Sequence, residues 1–475
     1  MASIKSNIFY NSALVMANYI FPLLVFPYIS RVLGVTNIGI CNFVDSIINY
    51  YCLFAMLGMN SLAIREIAIN KDNKDNLSKV FSSLFVLNII ISSIVILGLI
   101  ISIFCVPRFY EYRYLMFIGV SKLIFQILLV EWLYTGIENF RYITLRSIFI
   151  RSIYVILVFI LIRDTKDYPI YYLLLTLTTV FNAMFNIAYS KKFVNFSLKG
   201  ISIKKYIKPL FSLGAYGLLT SFYTTFNVLF LGLVSDATEV GYYTTSTKLH
   251  AMILAFFTAI TGVLMPRMAS LISTNNKETV DRLLNKTYHI LFLIAFPIIV
   301  FCEVFASDFI LMFAGAGYEK VVFCFRIVAP LILVVGYEQI LVFQILMPAK
   351  KDNMVLTNAF CAALIGIVGN IIFVPSLASL GSSIVWVISE LCILFMAQYF
   401  SKRALGFSFP LYDLFIYIGK AFPIALFVTF LAYWRPLGIY TQFLGFFSIV
   451  IYYLILEFFL LKNEILTSLL TLIKK

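Results

Sequence analysis

Long apolar runs follow one another along almost the whole of this chain, and they restrict its possible folds more than any other feature. Each run holds about 20 residues, the length that an α-helix needs to cross the hydrocarbon core of a bilayer. Hydrophobic residues make up 62% of the chain and charged residues only 12%. This pattern predicts an all-α polytopic membrane protein, and it excludes a soluble multidomain enzyme and a disordered chain. We count about fourteen runs, near residues 8–33, 38–63, 80–106, 114–136, 147–162, 168–190, 209–234, 240–265, 287–313, 321–347, 353–374, 381–400, 414–434 and 441–461.

The Lys and Arg residues of the loops are divided unequally between the two sides of the predicted membrane. If successive runs cross in alternate directions, loops on the side of the N-terminus hold 24 of them and loops on the other side hold 7. Loops rich in Lys and Arg remain cytoplasmic, so this division predicts that both termini are cytoplasmic. The net charge of +14 is therefore interpreted as orientation in a membrane and not as nucleic-acid binding.

The two halves of the chain resemble each other weakly. The longest polar connection among the first twelve runs is residues 191–208, which leaves six runs on either side. At an offset of 202 residues, Thr36-Asn37-Ile38-Gly39 aligns with Thr238-Glu239-Val240-Gly241. Because each half holds an even number of runs, the halves have the same orientation, related by a pseudo-two-fold axis along the membrane normal. We predict two six-helix lobes and two C-terminal helices, with boundaries at residues 1–199, 200–405 and 406–475.

Patterns typical of catalytic, metal-binding and nucleotide-binding sites are absent from the sequence. There are only two histidines, and no G-x-S-x-G, Walker A or H-E-x-x-H pattern occurs. The seven cysteines are scattered through apolar runs without C-x-x-C spacing. We therefore expect neither an enzyme nor a bound cofactor. Without a nucleotide site, transport would follow a gradient, and coupling to H+ or Na+ stays open.

One face of the second run is polar. Asn42, Asp45, Ser46 and Asn49 have the spacing i, i+3, i+4 and i+7, so they share one helical face, and we call them the polar stripe. Polar groups inside a span face protein or a water-filled cavity, although hydrogen bonds between helices are an alternative role. In the repeat alignment Ser46 matches Lys248, which predicts an ion pair between Asp45 and Lys248 across a central cleft. Further polar candidates for the cavity are Thr244 and Asn227.

Three patches of sequence resemble a known family. They are residues 27–34 (PYISRVLG) followed by Ile38-Gly39, residues 236–243 (DATEVGYY) with Lys248-Leu249, and Pro266-Arg267. The chain is similar in these patches to the multidrug/oligosaccharidyl-lipid/polysaccharide exporter superfamily, and within it to Wzx-type polysaccharide (O-antigen) flippases. The resemblance implies a MATE-like fold, in which two six-helix lobes enclose a central cavity and work by alternating access. It also implies an undecaprenyl-diphosphate-linked oligosaccharide as substrate, surrounding membrane lipids and a polysaccharide polymerase as a possible partner.

A lipid-linked diphosphate is anionic, so a cavity that accepts it must offer Lys or Arg, while the sugars need hydroxyl and amide partners. Cations inside the predicted spans, or close to their cytoplasmic ends, are therefore candidates for diphosphate contact. One more cation, Arg31, lies at the external mouth of the first run, where it could instead anchor to lipid phosphate. The candidates are Lys248, Arg146, Arg151, Lys122 and Arg31.

The main alternative is a cation-coupled multidrug antiporter of the same MATE type. Such exporters use membrane-embedded acids in the N-terminal lobe, and the first run here has none. Asp45 in the second run could still serve. A scaffold protein or a membrane glycosyltransferase would need a sizeable loop domain, which the sequence lacks. The identity of the glycan, O-antigen, capsule or another polysaccharide, is not encoded in any pattern that we recognise.

Overall fold

The computed structural model describes residues 4–198, 200–274 and 276–456, and within them the protein is helical without any β-strand. The prediction of an all-α membrane protein is confirmed. A π-helical segment, Ile340–Leu346, follows α14. The helices are α1 (Ile4–Met56), α2 (Met59–Asn70), α3 (Lys74–Cys105), α4 (Pro107–Glu111), α5 (Arg113–Gln126), α6 (Glu131–Gly136), α7 (Phe140–Leu161), α8 (Tyr168–Ser190), α9 (Lys204–Thr224), α10 (Phe226–Val234), α11 (Ala237–Ser273), α12 (Lys277–Ala314), α13 (Glu319–Val328), α14 (Leu331–Gln339), α15 (Asp352–Leu377), α16 (Ser379–Leu405), α17 (Leu411–Trp434) and α18 (Thr441–Ile455).

Most of these helices are long and apolar enough to cross a bilayer. Among the described residues there are 11 such helices, or 12 if α9 and α10, which meet at a bend of 50°, form one span. The longest of them, Phe9–Met56, contains two of the predicted runs. The number of about fourteen spans therefore stays a prediction, and the end of the last predicted run, at 457–461, lies outside the described residues.

Two glycines with positive φ interrupt the helices at the start of the chain. The chain breaks at Gly34, in the gap between the first two predicted runs, with φ of 75° and ψ of 167°. The second run was expected to continue to Ala63, and this was wrong. The helix ends at Met56, and Gly58, with φ of 71°, precedes the next helix. Glycine adopts a left-handed conformation without steric cost, so the chain can change direction inside an apolar run.

The predicted offset of 202 residues corresponds to a direct contact between the two aligned segments. A Cβ atom added to Gly39 would lie 1.7 Å from the Ala237 carbonyl oxygen, and one added to Gly241 would lie 2.3 Å from the Val35 carbonyl oxygen. Gly241 and Ala237 are the alignment partners of Gly39 and Val35. Such reciprocal contacts are the signature of a two-fold axis. The axis therefore passes between α11 and the part of α1 that follows Gly34, and only glycine permits the helices to approach so closely.

Two hydrogen bonds join residues that are also 202 positions apart. The hydroxyl groups of Thr36 and Thr238 lie 2.9 Å from each other. The Asn42 amide donates to the Thr244 hydroxyl over 2.8 Å. The weak repeat that the sequence indicates is therefore expressed as self-complementary packing of equivalent positions.

The chain divides into two compact units. The first takes in residues up to Thr244 together with Ile367–Ser382, and the second takes in Thr245–Gly366 and the chain from Ser383. The first unit has a core around Trp132 and Tyr134, both at most 1% exposed. A cluster in the second joins α12 to the C-terminal helices α17 and α18. The predicted boundaries at 1–199, 200–405 and 406–475 stay a prediction.

The close approach at Gly39 leads to a testable expectation. Replacing Gly39 by leucine forces a side chain into the Ala237 backbone, which cannot move aside easily, so we expect a loss of about 1–3 kcal/mol of stability or more. The measurement is the melting temperature of the detergent-solubilised protein. Gly98→Leu is the matched control, because a Cβ atom at that glycine in α3 meets nothing within 4 Å. Equal melting temperatures for the two variants would contradict the assigned contact.

Candidate functional site

The polar stripe carries an ion pair in the first unit. The Lys122 ammonium on α5 lies 2.6 Å from Asp45 Oδ1 and also donates to Asn49 Oδ1 over 2.8 Å. The Asn49 amide in turn donates to Asp45 Oδ2 over 2.9 Å. The three side chains thus form a closed ring of charge-assisted hydrogen bonds. It is accessible, since 19% of the Lys122 side chain and 31% of the Asp45 side chain are exposed.

This ring corrects the expected pairing of Asp45. Lys248 was the predicted partner, but the carboxylate is bound by Lys122. The repeat alignment could not identify this partner, because Lys122 comes from within the same half of the chain. A charge inside a span needs compensation, and α5, which packs against α1, supplies it locally. Lys248 itself is half-buried on α11.

The other two members of the polar stripe are engaged inside the protein, Asn42 with a second helix and Ser46 with the backbone of its own helix. Asn42 binds Thr244, whose hydroxyl donates to the Val240 carbonyl of its own helix over 2.7 Å. The Ser46 hydroxyl donates to the Phe43 carbonyl over 2.7 Å and is buried. The stripe is therefore functionally divided. Its Asn42 and Ser46 positions are used in packing, and its Asp45 and Asn49 positions remain accessible.

Asn227, the other predicted cavity residue, lies in a fully buried network of the first unit. It is 0% exposed, donates to the Tyr243 hydroxyl over 3.0 Å and accepts from the Asn370 amide over 2.6 Å. These bonds tie α10, α11 and α15 together. Its contacts are those of interhelical hydrogen bonding, the alternative role that polar residues of spans can have.

Among the candidate arginines, Arg146 is engaged in an ion pair and hydrogen bonds with neighbouring side chains. Its guanidinium binds the Glu131 carboxylate, the Asn186 amide oxygen and the Ser147 hydroxyl, and only 5% of the side chain is exposed. It therefore links α6, α7 and α8. Arg151, five residues further along α7, is half-buried and has no hydrogen bond or ion pair with any described residue.

Arg31 lies at an exposed position of α1, as expected of a residue at a helix mouth. Its guanidinium donates to the Pro27 carbonyl one turn earlier over 2.8 Å. In the described part of the chain, no group of three or more His, Cys, Asp or Glu side chains could hold a metal ion.

The first half of the chain, which holds the polar stripe and the candidate arginines, matches a known family. A sequence profile described as "Polysaccharide biosynthesis protein" matches residues 4–272, more than half of the chain. This protein belongs to the polysaccharide biosynthesis protein family. It is also 25% identical over 350 residues to a protein of Escherichia coli (strain K12) named "Putative O-antigen transporter", an alignment that covers 73% of this chain and 84% of that one.

Solved structures of related fold support the predicted architecture of this family member. The fold is similar to "Lipid II flippase MurJ, inward closed conformation", with a TM-score of 0.75, 16% identity, and coverage of 96% of this chain and 100% of that one. It is also similar to an inward-facing multidrug resistance MATE family transporter, with a TM-score of 0.61, 16% identity, and coverage of 83% and 97%. The predicted MATE-like fold is confirmed.

Two acids of the second unit that lie outside the family match are buried, Asp308 and Glu390. Glu390 is 4% exposed and accepts a hydrogen bond from the Trp386 indole one turn earlier over 2.8 Å. The His250 ring lies edge-on to Trp386, with centroids 4.9 Å apart. The spacing of Trp386 and Glu390, i and i+4, was a visible signal for their bond. The contact with His250 was not visible in the sequence.

The ring around Asp45 can be tested by exchanging its charges. Lys122→Asp and Asp45→Lys each place two like charges together, so each should lower stability and export of surface glycan. Partial exposure reduces the stability loss to about 1–2 kcal/mol, below the loss for a fully buried pair. The double variant should recover part of both losses. Strictly additive losses in melting temperature and export would argue against the pair.

Proposed function

We propose that this protein is a flippase that moves undecaprenyl-diphosphate-linked oligosaccharide units from the cytoplasmic to the external leaflet of the bacterial inner membrane. The observation that carries the proposal is the match of residues 4–272 to a family of polysaccharide biosynthesis proteins. A chain built of membrane helices, without nucleotide-binding or catalytic patterns, contributes to such a pathway by transport and not by synthesis. Similarity to a named O-antigen transporter supports this role.

The proposed cycle is alternating access between the two six-helix lobes. In the described state, α11 and the part of α1 after Gly34 are held together at the Thr36–Thr238 pair and at the Gly39 contact. Release of substrate to the external side requires these contacts to separate. They are suited to this, because they consist of short polar and backbone contacts without an interlocking side chain.

Substrate recognition needs positive charge for the diphosphate and hydrogen-bonding groups for the sugars. Arg151 is the best placed cation of the first unit, because it is half-buried and forms no bond to another described residue. We propose Lys248 as a further cation that contacts the diphosphate during the transport cycle. Lys122 and Arg146 are engaged with carboxylates in this state, and Arg31 contacts lipid phosphate at the external surface. Asp45 and Asn49 offer acceptors and donors to sugars.

The proposed orientation places both termini in the cytoplasm, as the distribution of loop Lys and Arg predicts. Export would then deliver the oligosaccharide to the external side, where a polysaccharide polymerase is the proposed partner. The energy source is an H+ or Na+ gradient or the gradient of the substrate itself.

A cation-coupled drug antiporter is less consistent with the site. That function needs an acid in the N-terminal lobe that is available to bind a cation. Asp45 was the candidate, and its carboxylate is already compensated by Lys122 at 2.6 Å. Similarity to MATE transporters extends to the fold alone.

Alternating access predicts that locking the Thr36–Thr238 contact stops transport. Thr36→Cys combined with Thr238→Cys should form a disulfide under oxidation, because the replaced hydroxyl oxygens lie 2.9 Å apart. We expect loss of glycan export in oxidised cells and recovery after reduction. Each single cysteine variant is the control and should export in both conditions. Full export by the cross-linked protein would overturn the proposed movement.

The proposed cations can be tested separately from folding. Arg151→Ala and Lys248→Ala should each reduce glycan export at least tenfold, the effect of losing about 1.4 kcal/mol of binding, with membrane expression unchanged. Lys402→Ala, at an exposed position of the last turn of α16, is the control for charge removal. Full export by both variants would remove the central assignment. Loss of drug resistance instead of glycan export would favour the antiporter.

A further inference from the structure

A pocket of about 550 Å³ lies between α7 and α8, at the N-terminal end of α7. It belongs to the first unit and is separate from the polar stripe. The proposed transport cycle assigns no role to it. Its lining combines arginine, aromatic and aliphatic side chains, a composition that suits an amphipathic ligand. The lining residues are Asn139, Arg141, Tyr142, Leu145, Arg146, Phe149, Phe185 and Tyr189.

Arg146 is buried in the wall of this pocket with an unused donor. Its two terminal nitrogens are bound by Glu131, Asn186 and Ser147, but its Nε–H has no hydrogen-bond partner although the atom is inaccessible to water. An unpaired N–H of a buried guanidinium is costly. A ligand oxygen could reach this N–H only after the wall of the pocket moves, so in the described state the guanidinium contributes charge and not a hydrogen bond.

Two further cations flank the pocket without a carboxylate partner. Arg141 is exposed and forms no hydrogen bond or ion pair with a described residue. The Lys192 ammonium lies over the Tyr189 ring, 4.8 Å from its centroid, and has no other partner in the described chain. Among the nearby carboxylates, Glu131 is engaged with Arg146 and Glu138 with Lys71, whose hydrogen bond raises the pKa of the lysine. Asp72 lies with Lys192 in the lining of an adjacent pocket and not in that of this one. The pocket therefore has a surplus of positive charge.

The floor of the pocket is rigid. The rings of Tyr142 and Tyr189 are stacked with centroids 4.1 Å apart, and the Tyr142 hydroxyl donates to the Phe185 carbonyl over 3.0 Å. The Asn139 side chain caps the first turn of α7 by accepting from the Tyr142 amide. The positive end of the helix dipole of α7 therefore adds to the field of the cations.

The rim of the pocket faces lipid and not water. Leu145, Phe149 and Phe185 on the rim are 50–59% exposed. The exposed side chains that continue along α7 and α8 are also apolar, among them Ile153, Ile156, Phe181 and Met184. Exposed apolar side chains on a membrane helix contact acyl chains. The pocket thus joins a lipid-facing surface to a cluster of cations at the end of a span, on the membrane side whose loops hold most Lys and Arg.

We propose that this pocket binds the phosphate-bearing headgroup of an anionic phospholipid of the surrounding bilayer. Arg141 contacts the phosphate, Lys192 and Arg146 add positive charge beside it, and the Phe149 and Phe185 surface contacts the acyl chains. Basic pockets between helix ends are a known way to hold anionic headgroups. A bulk phospholipid fits better than the glycan-bearing lipid, because the rim offers sugars only Asn139 as a polar partner. The inference does not depend on the proposed flippase function.

The experiment measures the melting temperature of the purified full-length chain in detergent while phosphatidylglycerol is added. The wild type should be stabilised, and phosphatidylcholine at the same concentrations should have a much smaller effect. Arg141→Gln combined with Lys192→Gln should raise the phosphatidylglycerol concentration for half-maximal stabilisation at least tenfold. Neither residue has a hydrogen bond or ion pair to lose, and Lys192 loses only its contact with the Tyr189 ring, so the variant should fold. If the double variant does not fold, Arg141→Gln alone should raise the phosphatidylglycerol concentration for half-maximal stabilisation about threefold.

The matched control is Lys402→Gln with Arg403→Gln, which removes two exposed cations from the end of α16. Its response to phosphatidylglycerol should equal that of the wild type. Three results would overturn the proposal. They are an unchanged response in the Arg141 and Lys192 variants, equal stabilisation by phosphatidylcholine, and stabilisation by undecaprenyl diphosphate but not by phosphatidylglycerol. Because the experiment measures lipid binding and not transport, its outcome does not depend on whether the protein exports glycan.

Discussion

The structure depends on the requirement that charges inside a membrane be compensated within the protein. Two carboxylates of the first unit illustrate how this is achieved. Asp45 is paired with Lys122, and Glu131 with Arg146, in each case with an amide side chain that binds one or both members of the pair. These pairs fix α5 against α1 and join α6, α7 and α8. Arg151 within α7 and Arg141 at its beginning are among the cations without a carboxylate partner, and we propose them for ligands.

The second organising feature is a close helix crossing at the repeat axis. Gly39 and Gly241 each face the backbone of the other repeat, so equivalent segments meet at short distance. Backbone-to-backbone packing is an effective way to associate helices in lipid, where little hydrophobic driving force exists between them. Separation of this interface breaks side-chain hydrogen bonds such as Thr36–Thr238 and Asn42–Thr244. Stability and proposed movement thus rest on the same contact.

The protein would then bind two kinds of anionic lipid at two different basic sites. The glycan-bearing substrate would bind near Arg151, and a bulk phospholipid would bind near Arg141. Half-buried Arg151 lies in the middle of α7, whereas Arg141 lies at its lipid-facing end. The two positions are 10 residues apart, a rise of about 15 Å along the helix. A cation deep in a span suits a diphosphate that has left the bilayer surface. A cation at the helix end suits a headgroup that stays there.

The sequence by itself determined the class of fold, the break at Gly34 and the repeat at 202 residues, because apolar run length, glycine and self-similarity are local properties of the chain. It also pointed to the polar stripe, since helical spacing places those residues on one face. It could not determine that Lys122 neutralises Asp45, that Asn227 is fully buried, or that the helix formed by the second run ends at Met56. Those outcomes were decided by which helices pack together, and packing depends on contacts between segments far apart in sequence. Only the tertiary structure therefore separated the charges used for stability from those left for ligands.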